Sequence, residues 1–133
     1  MRNHSELLSL VVPVYFEEEC IAQFIYETIP VLESLPLDYE IVFIDDGSTD
    51  RTTLIIKEHA KLNPRIKLIE FSYNHGKQAA FTAGVTYAKG DFLLYMDPDL
   101  QDPPVEIPRF VEEIKKGQDL VFGVRREKKR HMV

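Results

Sequence analysis

The stretch "EIVFIDDGSTD", from Glu40 to Asp50, decides the fold, because it carries a strand, a turn and a helix start in immediate succession. Its first part, Glu40 to Ile44, is an almost wholly apolar run, which predicts a buried strand. Asp-Asp-Gly-Ser is turn chemistry, and either Ser48 or Asp50 can cap a helix that runs to about Leu62. A buried strand that passes directly into a helix is typical of a parallel sheet.

The same alternation of strand and helix continues on both sides of this stretch. Further strands are predicted at Leu7 to Val14, Ile66 to Phe71, Asp91 to Met96 and Leu120 to Val124. Further helices are predicted at Glu17 to Ser34, at Gly76 to Lys89 and after Asp102. Pro30 is expected to kink or end the first of these helices. The alternation predicts an α/β fold, a mostly parallel Rossmann-like sheet of order 3-2-1-4 with helices on both faces.

The size and charge of the chain exclude several classes of protein. Its 133 residues suit one domain, and 44% hydrophobic with 29% charged residues is the composition of a globular protein. The formal net charge of −6 argues against a general nucleic-acid binder. The single cysteine, Cys20, excludes an internal disulfide, favours a soluble cytoplasmic chain, and is expected to be a small buried residue. No stretch approaches the ~20 apolar residues of a membrane span.

Polar side chains cluster where four of the predicted strands end. In a parallel sheet, ligands bind in the crevice beyond the carboxyl ends of the strands, where the strand order reverses. The segments at those ends are Pro13 to Glu17, Asp45 to Ser48, Tyr73 to Lys77 and Asp97 to Asp99. With the order 3-2-1-4, the loops after the first, second and fourth strands face one pocket.

Asp97 and Asp99 lie two residues apart at the end of the fourth predicted strand. Like charges that close are unfavourable unless a positive charge sits between them. Carboxylate oxygens suit Mg²⁺ or Mn²⁺, and Mg²⁺ prefers one or two carboxylates together with substrate phosphates. The alternative is that Asp99 and Asp102 only form a turn and cap the next helix, which is the role we expect of Asp102.

Asp45 and Asp46 present a similar choice. One of them can accept hydrogen bonds from a nucleobase or a ribose, as an acid at the end of the second strand does in dinucleotide folds. The alternative is that "DDGSTD" serves only as a turn and a helix cap. No G-x-G-x-x-G follows the first strand, so a nicotinamide site of that type is unsupported.

Four segments in order resemble family 2 glycosyltransferases of the GT-A fold. They are "VVPVYFEEE", "YEIVFIDDGSTDRT", "NHGKQAAFTAGVTYAKGDFLLYMDPDLQDPP" and "DLVFGVRR". The resemblance covers about Leu7 to Arg126 and is strongest to the branch that transfers a sugar from a nucleotide donor to a polyprenyl phosphate. Bactoprenol glucosyltransferases and dolichol-phosphate mannosyltransferases belong to that branch.

The resemblance implies a site, residue by residue. The positions that match nucleotide-sugar contacts are Pro13, Tyr15, Glu17, Ile44, Asp46, Lys77, Asp97, Asp99 and Arg125. The positions that match metal ligands are Asp97, Asp99 and Gln101, of which Asp99 is the firmer. Pro98 departs from the small residue that the family often has between the two aspartates. It removes a backbone N–H and holds Asp97 extended.

The implied activity is a metal-dependent, inverting transfer of a sugar from a nucleotide donor, UDP before GDP, to a polyprenyl phosphate in cell-envelope glycan synthesis. Members of the family continue past this point into an acceptor-binding half and often into membrane helices. The chain therefore looks like the donor-binding part, residues 1–133, of a protein that acts at the cytoplasmic side of a membrane. No general base is identified, so we expect nucleotide binding with little turnover.

Two other functions remain open at this stage. One is a nucleotide-binding module without catalysis. The other is a phosphatase of the haloacid dehalogenase type, which also has D-x-D after an apolar strand. The basic residues 126–133 are expected to form a frayed, solvated tail, and attraction to an anionic membrane surface is the alternative.

Overall fold

The computed structural model describes residues 6–99 and 103–116, which form four parallel strands and four α-helices. The strands are β1 (Leu7–Val14), β2 (Asp38–Asp45), β3 (Ile66–Glu70) and β4 (Phe92–Tyr95). The helices are α1 (Ile21–Glu33), α2 (Thr52–Leu62), α3 (Lys77–Tyr87) and α4 (Ile107–Lys115), with a 3₁₀ turn at Pro104–Glu106 before α4. The strand order is β3-β2-β1-β4, which confirms the predicted topology. The predicted strand at Leu120 to Val124, the cap at Asp102 and the tail at 126–133 lie outside the described residues.

Two hydrophobic cores lie on opposite faces of the sheet, because successive side chains of a strand point to opposite sides. The larger core joins one face of β1 and β2 to α1, α2 and α4, as at Leu10, Phe24, Ile56 and Phe110. The smaller core lies under α3 and contains Val11, Val42, Ile44 and Ala80. The helices therefore cover both faces, as predicted.

Helix α1 begins later than predicted and is not ended by Pro30. It begins at Ile21 rather than at Glu17, because the preceding residues form the loop that follows β1. It also continues through Pro30 to Glu33, so the expectation that it could end at Pro30 is wrong, while its predicted end at Ser34 is confirmed to within one residue. Pro30 lies on the exposed side near the last turn of the helix. There the carbonyl four residues earlier, which a proline leaves without an N–H partner, can bond to water.

Helix α3 lies so close to β1 that one of its positions admits only glycine. A Cβ atom at Gly84 would stand 2.3 Å from Cγ1 of Val11, which is fully buried. The small residues Ala80 and Gly84 allow this close packing, since Val11 lies directly against them.

A buried polar network joins the start of β4 to β1 and β2. Glu40 Oε2 accepts hydrogen bonds from the Ser9 hydroxyl at 2.6 Å and from the Lys89 amide at 2.7 Å. Its Oε1 lies 3.2 Å from Nζ of Lys67, and the Gly90 amide donates to Ser9 Oγ at 2.8 Å. A buried carboxylate is stable only when it is paired and hydrogen-bonded in this way.

We expect Gly84→Ala to lower the free energy of unfolding by about 1–3 kcal/mol, since overpacking outweighs the ~1 kcal/mol that alanine gains in helix propensity. Urea denaturation measures the change. The matched control is the same substitution in a Val11→Ala background, where the overlap is absent and Gly84→Ala should cost less than it does in wild type. A Gly84→Ala chain more stable than wild type would contradict the observed packing.

We expect Glu40→Gln to lower the free energy of unfolding at pH 7 by about 1–3 kcal/mol, the cost of a broken buried hydrogen-bond network. Burial by itself raises the pKa of Glu40, but the bonds from Lys89, Ser9 and Lys67 outweigh it and hold the pKa below the ordinary 4.5. A lowered folded pKa stabilises the protein above the unfolded pKa, and this stabilisation is lost as the pH falls through the folded pKa.

The difference in stability between wild type and Glu40→Gln should therefore narrow in acid below about pH 4.5. Urea denaturation at pH 7 and at a series of acidic pH values measures it. Glu58→Gln, on the exposed side of α2, is the control and should leave the stability nearly unchanged. A difference that stays constant into acid would show that the ionised carboxylate does not stabilise the network.

Candidate functional site

The carboxyl ends of β1, β2 and β4 and the start of α3 enclose a cleft of ≈ 260 Å³. Its lining residues are Pro13, Val14, Tyr15, Glu17, Asp46, Lys77, Ala80, Asp97, Pro98 and Asp99. Seven of the residues predicted to form the site are thus brought together: Pro13, Tyr15, Glu17, Asp46, Lys77, Asp97 and Asp99. Ile44 is fully buried in the core under α3 instead, and Gln101 and Arg125 lie outside the described residues.

The loop after β1 forms one wall of this cleft and contains a strained residue. Phe16 has φ +54°, and it is the single non-glycine residue with positive φ in the part of the chain that the structure describes. A bulky side chain in this conformation costs about 1–2 kcal/mol, so neighbouring contacts must hold it there. The Phe16 amide donates to Ser48 Oγ at 2.8 Å, and the next amide, of Glu17, donates to Thr52 Oγ1 at 2.9 Å. Both contacts come from residues 45–52, which run from the end of β2 to the first residue of α2.

That segment, residues 45–52, folds on itself through Asp45. Its Oδ2 accepts hydrogen bonds from the amides of Gly47 at 3.2 Å and Ser48 at 3.0 Å, which is the predicted turn chemistry. Gly47 has φ +92°, and a Cβ atom there would stand 2.6 Å from the carbonyl carbon of Tyr73. Only glycine permits this contact between the two backbones. The turn therefore lies directly against the loop that precedes α3.

Asp46 holds that loop in place. Its carboxylate accepts hydrogen bonds from the Asn74 side chain at 2.9 Å and from the amides of His75 at 2.7 Å and Gly76 at 3.0 Å. The next residue, Lys77, begins α3 and is exposed at the cleft. Asp46 was expected to contact a nucleobase or ribose. It lines the cleft, but its side chain is almost completely buried and is already bonded three times to the 74–76 loop.

The cleft has a strong excess of negative charge. Its described lining includes four carboxylates, of Glu17, Asp46, Asp97 and Asp99, against the single ammonium of Lys77. Burial raises the pKa of Glu17 and the charges of Asp99 and Asp97 raise it further, although a hydrogen bond from a neighbouring thiol opposes them. The excess of carboxylates makes the cleft unfavourable for a further anion unless a cation accompanies it.

Two neighbouring side chains, of Tyr95 and Cys20, also have pKa values raised by burial and by nearby negative charge. Burial, with the charge of Asp97, raises the pKa of Tyr95 to about 12. Cys20 donates its thiol hydrogen to Glu17 Oε1 at 3.2 Å, and burial and that hydrogen bond raise its pKa to about 12. Cys20 was expected to be buried in the core. It is half-buried just before α1, because the helix begins later than predicted.

The donor set of the cleft suits a hard divalent cation in a site completed by a ligand. Asp97 is half-buried, Asp99 is exposed, and both line the cleft with oxygen donors only. Within residues 6–99 and 103–116, no three His, Cys, Asp or Glu side chains are close enough to hold a metal ion by themselves. Two carboxylates that leave the remaining positions to water and substrate phosphates are the arrangement Mg²⁺ prefers. The residues present therefore fit Mg²⁺ or Mn²⁺ bound together with a diphosphate.

Sequence reasoning located the loops of this site but missed the side chains that join them. Ser48, Thr52 and Asn74 received no site role, although each bonds to a loop of the cleft. Short polar side chains after a strand are typical of turns and helix caps, so the sequence contained no signal for contacts that span about 30 residues. As for membranes, none of the helices described here has the length and apolar character needed to span one.

Comparison with known proteins identifies relatives of the chain. It is 43% identical over 121 residues to the uncharacterized glycosyltransferase YkcC of Bacillus subtilis (strain 168), a match that covers 91% of this chain and 38% of the relative. It is 38% identical over 124 residues to the undecaprenyl-phosphate 4-deoxy-4-formamido-L-arabinose transferase of Edwardsiella ictaluri (strain 93-146), covering 92% of this chain and 38% of that enzyme. The chain thus spans little more than a third of the length of these relatives.

A solved structure shares the fold. The mannosyltransferase PcManGT of Pyrobaculum calidifontis, solved in complex with GDP-Man and Mn²⁺, matches with a TM-score of 0.65 and 25% identity over 74% of this chain and 29% of that protein. The family model described as glycosyl transferase family 2 matches residues 9–132. The parallel sheet of order 3-2-1-4, the acidic cleft at its carboxyl edge and these matches together show that the chain belongs to glycosyltransferase family 2.

Proposed function

We propose that this chain is the donor-binding part of an inverting glycosyltransferase that transfers a sugar from a nucleotide donor to a polyprenyl phosphate. We propose UDP as the nucleotide of the donor, with GDP as the alternative. In the full-length protein the reaction takes place at the cytoplasmic side of the membrane and serves cell-envelope glycan synthesis. Family membership sets aside the haloacid dehalogenase alternative.

One observation carries the proposal: Asp97 and Asp99 reach the same cleft as Glu17 and Lys77, although Glu17 lies 80 positions before Asp97 in the sequence. A nucleotide diphosphate is an anion and would be repelled by the carboxylates alone. Asp97 and Asp99 would hold a dication, which would reverse that repulsion, and the diphosphate would complete the set of ligands. The acidic cleft is thus suited to a diphosphate that arrives with a metal ion. PcManGT, bound to GDP-Man and Mn²⁺, offers a precedent on the same fold.

The remaining residues of the cleft have proposed roles that follow from their positions. Tyr15, 44% exposed on the loop after β1, offers a ring on which a base can stack. Lys77 at the start of α3 places an ammonium near the diphosphate. Gln101 and Arg125 are proposed to complete the metal and diphosphate contacts.

The reaction is a displacement at the anomeric carbon of the sugar. The bond from that carbon to the diphosphate oxygen breaks as a bond to the acceptor oxygen forms, and a single displacement inverts the configuration. The dication, when bound, offsets the charge that develops on the leaving diphosphate. A phosphate acceptor is already anionic and carries no proton to be removed, so the transfer needs no strong general base. The relationship to an undecaprenyl-phosphate transferase supports an acceptor of this class.

We expect Asp99→Asn to abolish metal-dependent nucleotide binding, because the amide keeps the shape of the side chain and removes its charge. Isothermal titration of UDP and of GDP, each with Mn²⁺ and again with a chelator, measures it. We expect the wild-type chain to bind one of the two with Mn²⁺ and to lose at least about tenfold in affinity, about 1.4 kcal/mol, with the chelator or in the variant.

Glu58→Gln provides the control for this titration, since it removes one negative charge from an exposed position on α2. It should bind as wild type does. Nucleotide binding that is indifferent to the chelator, or equal in Asp99→Asn and wild type, would refute the proposed metal site.

We also expect the chain of 133 residues to bind the donor and yet transfer little or no sugar, because it spans 38% of its relatives. The assay supplies a nucleotide sugar and a polyprenyl phosphate and measures the glycolipid formed. Rapid transfer by this chain alone would refute this expectation. If the full-length protein also binds donor without transfer, a nucleotide-binding module without catalysis becomes the better description.

A further inference from the structure

We propose that Thr52 is a positioning residue of the cleft: its hydroxyl group holds the strained loop after β1 in the conformation that directs Tyr15 and Glu17 toward the donor. Thr52 is fully buried and does not line the cleft, so it cannot contact a ligand itself. The inference rests on the proposed function as far as the donor is concerned. Its effect on the loop can be measured without any ligand.

The direction of the Thr52 hydroxyl group is fixed by a second side chain. Thr52 Oγ1 donates its hydrogen to Asp50 Oδ1 at 2.6 Å, which leaves the oxygen lone pairs of Thr52 for the Glu17 amide at 2.9 Å. A hydroxyl group can donate only one hydrogen bond. Because Thr52 Oγ1 donates to Asp50, it can only accept in its bond with the Glu17 amide. Because Asp50 Oδ1 also accepts from the Thr52 amide at 2.9 Å, the carboxylate is itself anchored at the start of α2.

Further hydrogen bonds join the loop after β1 to residues 48–52 and support the same conclusion. The Glu18 amide lies 3.4 Å from Asp50 Oδ2, and Glu18 Oε1 accepts from the Arg51 amide at 3.0 Å. With the bond from Phe16 to Ser48, three successive amides of the loop are directed at side chains of the 48–52 segment. Thr52 holds the middle one of the three and is the most buried of the acceptors.

The strain at Phe16 explains why the loop needs these bonds. With φ +54°, Phe16 occupies a region that a bulky residue leaves unless its surroundings hold it. Its ring meets the ring of Tyr15 edge-on at 4.4 Å, so a change of backbone at Phe16 moves Tyr15 as well. Loss of the Thr52 acceptor frees the Glu17 amide, and the loop can then relax away from the cleft.

Thr52→Val tests the inference, since valine keeps the shape of threonine and removes the hydroxyl group. Isothermal titration with Mn²⁺ and UDP, and with Mn²⁺ and GDP, gives the affinity. For the nucleotide that wild type binds, we expect Thr52→Val to weaken binding about tenfold, or about 1.4 kcal/mol. Thr52→Ser keeps the hydroxyl group and should restore affinity to within about twofold of wild type, about 0.4 kcal/mol.

Two outcomes of this titration overturn the inference. One is wild-type affinity in Thr52→Val, and the other is an equal loss in Thr52→Ser and Thr52→Val, which would assign the effect to packing. Thr86→Val is the control, because it removes an exposed hydroxyl group that donates to the carbonyl of Thr82 within α3, away from the loop after β1. It should bind as wild type does.

Hydrogen exchange of single backbone amides, followed by NMR without ligand, tests the effect on the loop independently. We expect the amides of Phe16, Glu17 and Glu18 to exchange at least about fivefold faster in Thr52→Val, while amides in β1 and β2 keep their protection. Unchanged exchange at Glu17 would overturn the inference even if binding changed. If wild type binds neither nucleotide, the proposed function fails and this measurement still decides the role of Thr52.

Ser48→Ala provides a second variant in case Thr52→Val does not fold. It removes the acceptor of the Phe16 amide at a half-buried position that is more tolerant of change. We expect the same faster exchange at Phe16 and weaker binding, with Ser48→Thr restoring both. Wild-type exchange and affinity in Ser48→Ala would count against a loop held by this segment.

Discussion

The parallel pairing of β1 with both β2 and β4 is the constraint on which the rest of the structure depends. Because all three strands run in one direction, the loops that follow them must emerge at the same edge of the sheet. The order β3-β2-β1-β4 then places the loop after β1 between the other two. Residues more than 80 positions apart, such as Tyr15 and Asp97, line one cleft for this reason.

Charge gives this cleft its chemistry. Parallel topology accounts for the meeting of Glu17, Asp97 and Asp99, but the meeting itself is unfavourable, because like charges repel. Burial is the main cause of the raised pKa of Glu17, and the charges of Asp99 and Asp97 add to it. A fold stabilised only by its cores would gain nothing from carboxylates placed together in this way. A dication and a diphosphate that complete the site would offset this repulsion. Carboxylates that destabilise the folded protein without a ligand are therefore an argument that a ligand binds here.

The sequence predicted the fold well because the strands are strong and local signals. The run Leu7–Val14 is mostly apolar, Ile66–Glu70 has apolar residues at three of its five positions, and the topology follows from the alternation of such runs with helices. Pro30 was misjudged because the cost of a helical proline depends on whether the orphaned carbonyl can reach water, which the sequence does not state. The start of α1 was misjudged because the glutamates after Tyr15 suit a helix equally well. They are held in a loop by tertiary hydrogen bonds.

The location of the cleft was predictable from the sequence, and the contacts that shape it were predictable only in part. Strand ends with unusual polar residues pointed to the loops of the cleft, and Asp97 and Asp99 stood out through their spacing. The contacts of Asp46, Ser48 and Thr52 could not be predicted, because a short polar residue in a turn gives no indication of which distant amide it will meet.

These contacts change what the motif "DDGSTD" means physically. Read as a sequence, it offered a choice between a turn with a helix cap and a set of ligands for a nucleotide. The turn at Asp45 exists, and beyond it Asp46 fixes the loop before Lys77 while the residues from Ser48 to Thr52 fix the loop after β1.

Both walls of the cleft are therefore positioned by one short segment, and Gly47 lets that segment lie against the backbone of Tyr73. A ligand that meets Asp46 meets a carboxylate whose lone pairs are largely committed to protein amides. Under the proposed function, this segment would affect donor affinity mainly through the geometry of the walls. If substitutions in residues 45–52 lower the affinity for a donor, the loss would therefore reflect a change in the walls of the cleft rather than a lost contact with the ligand.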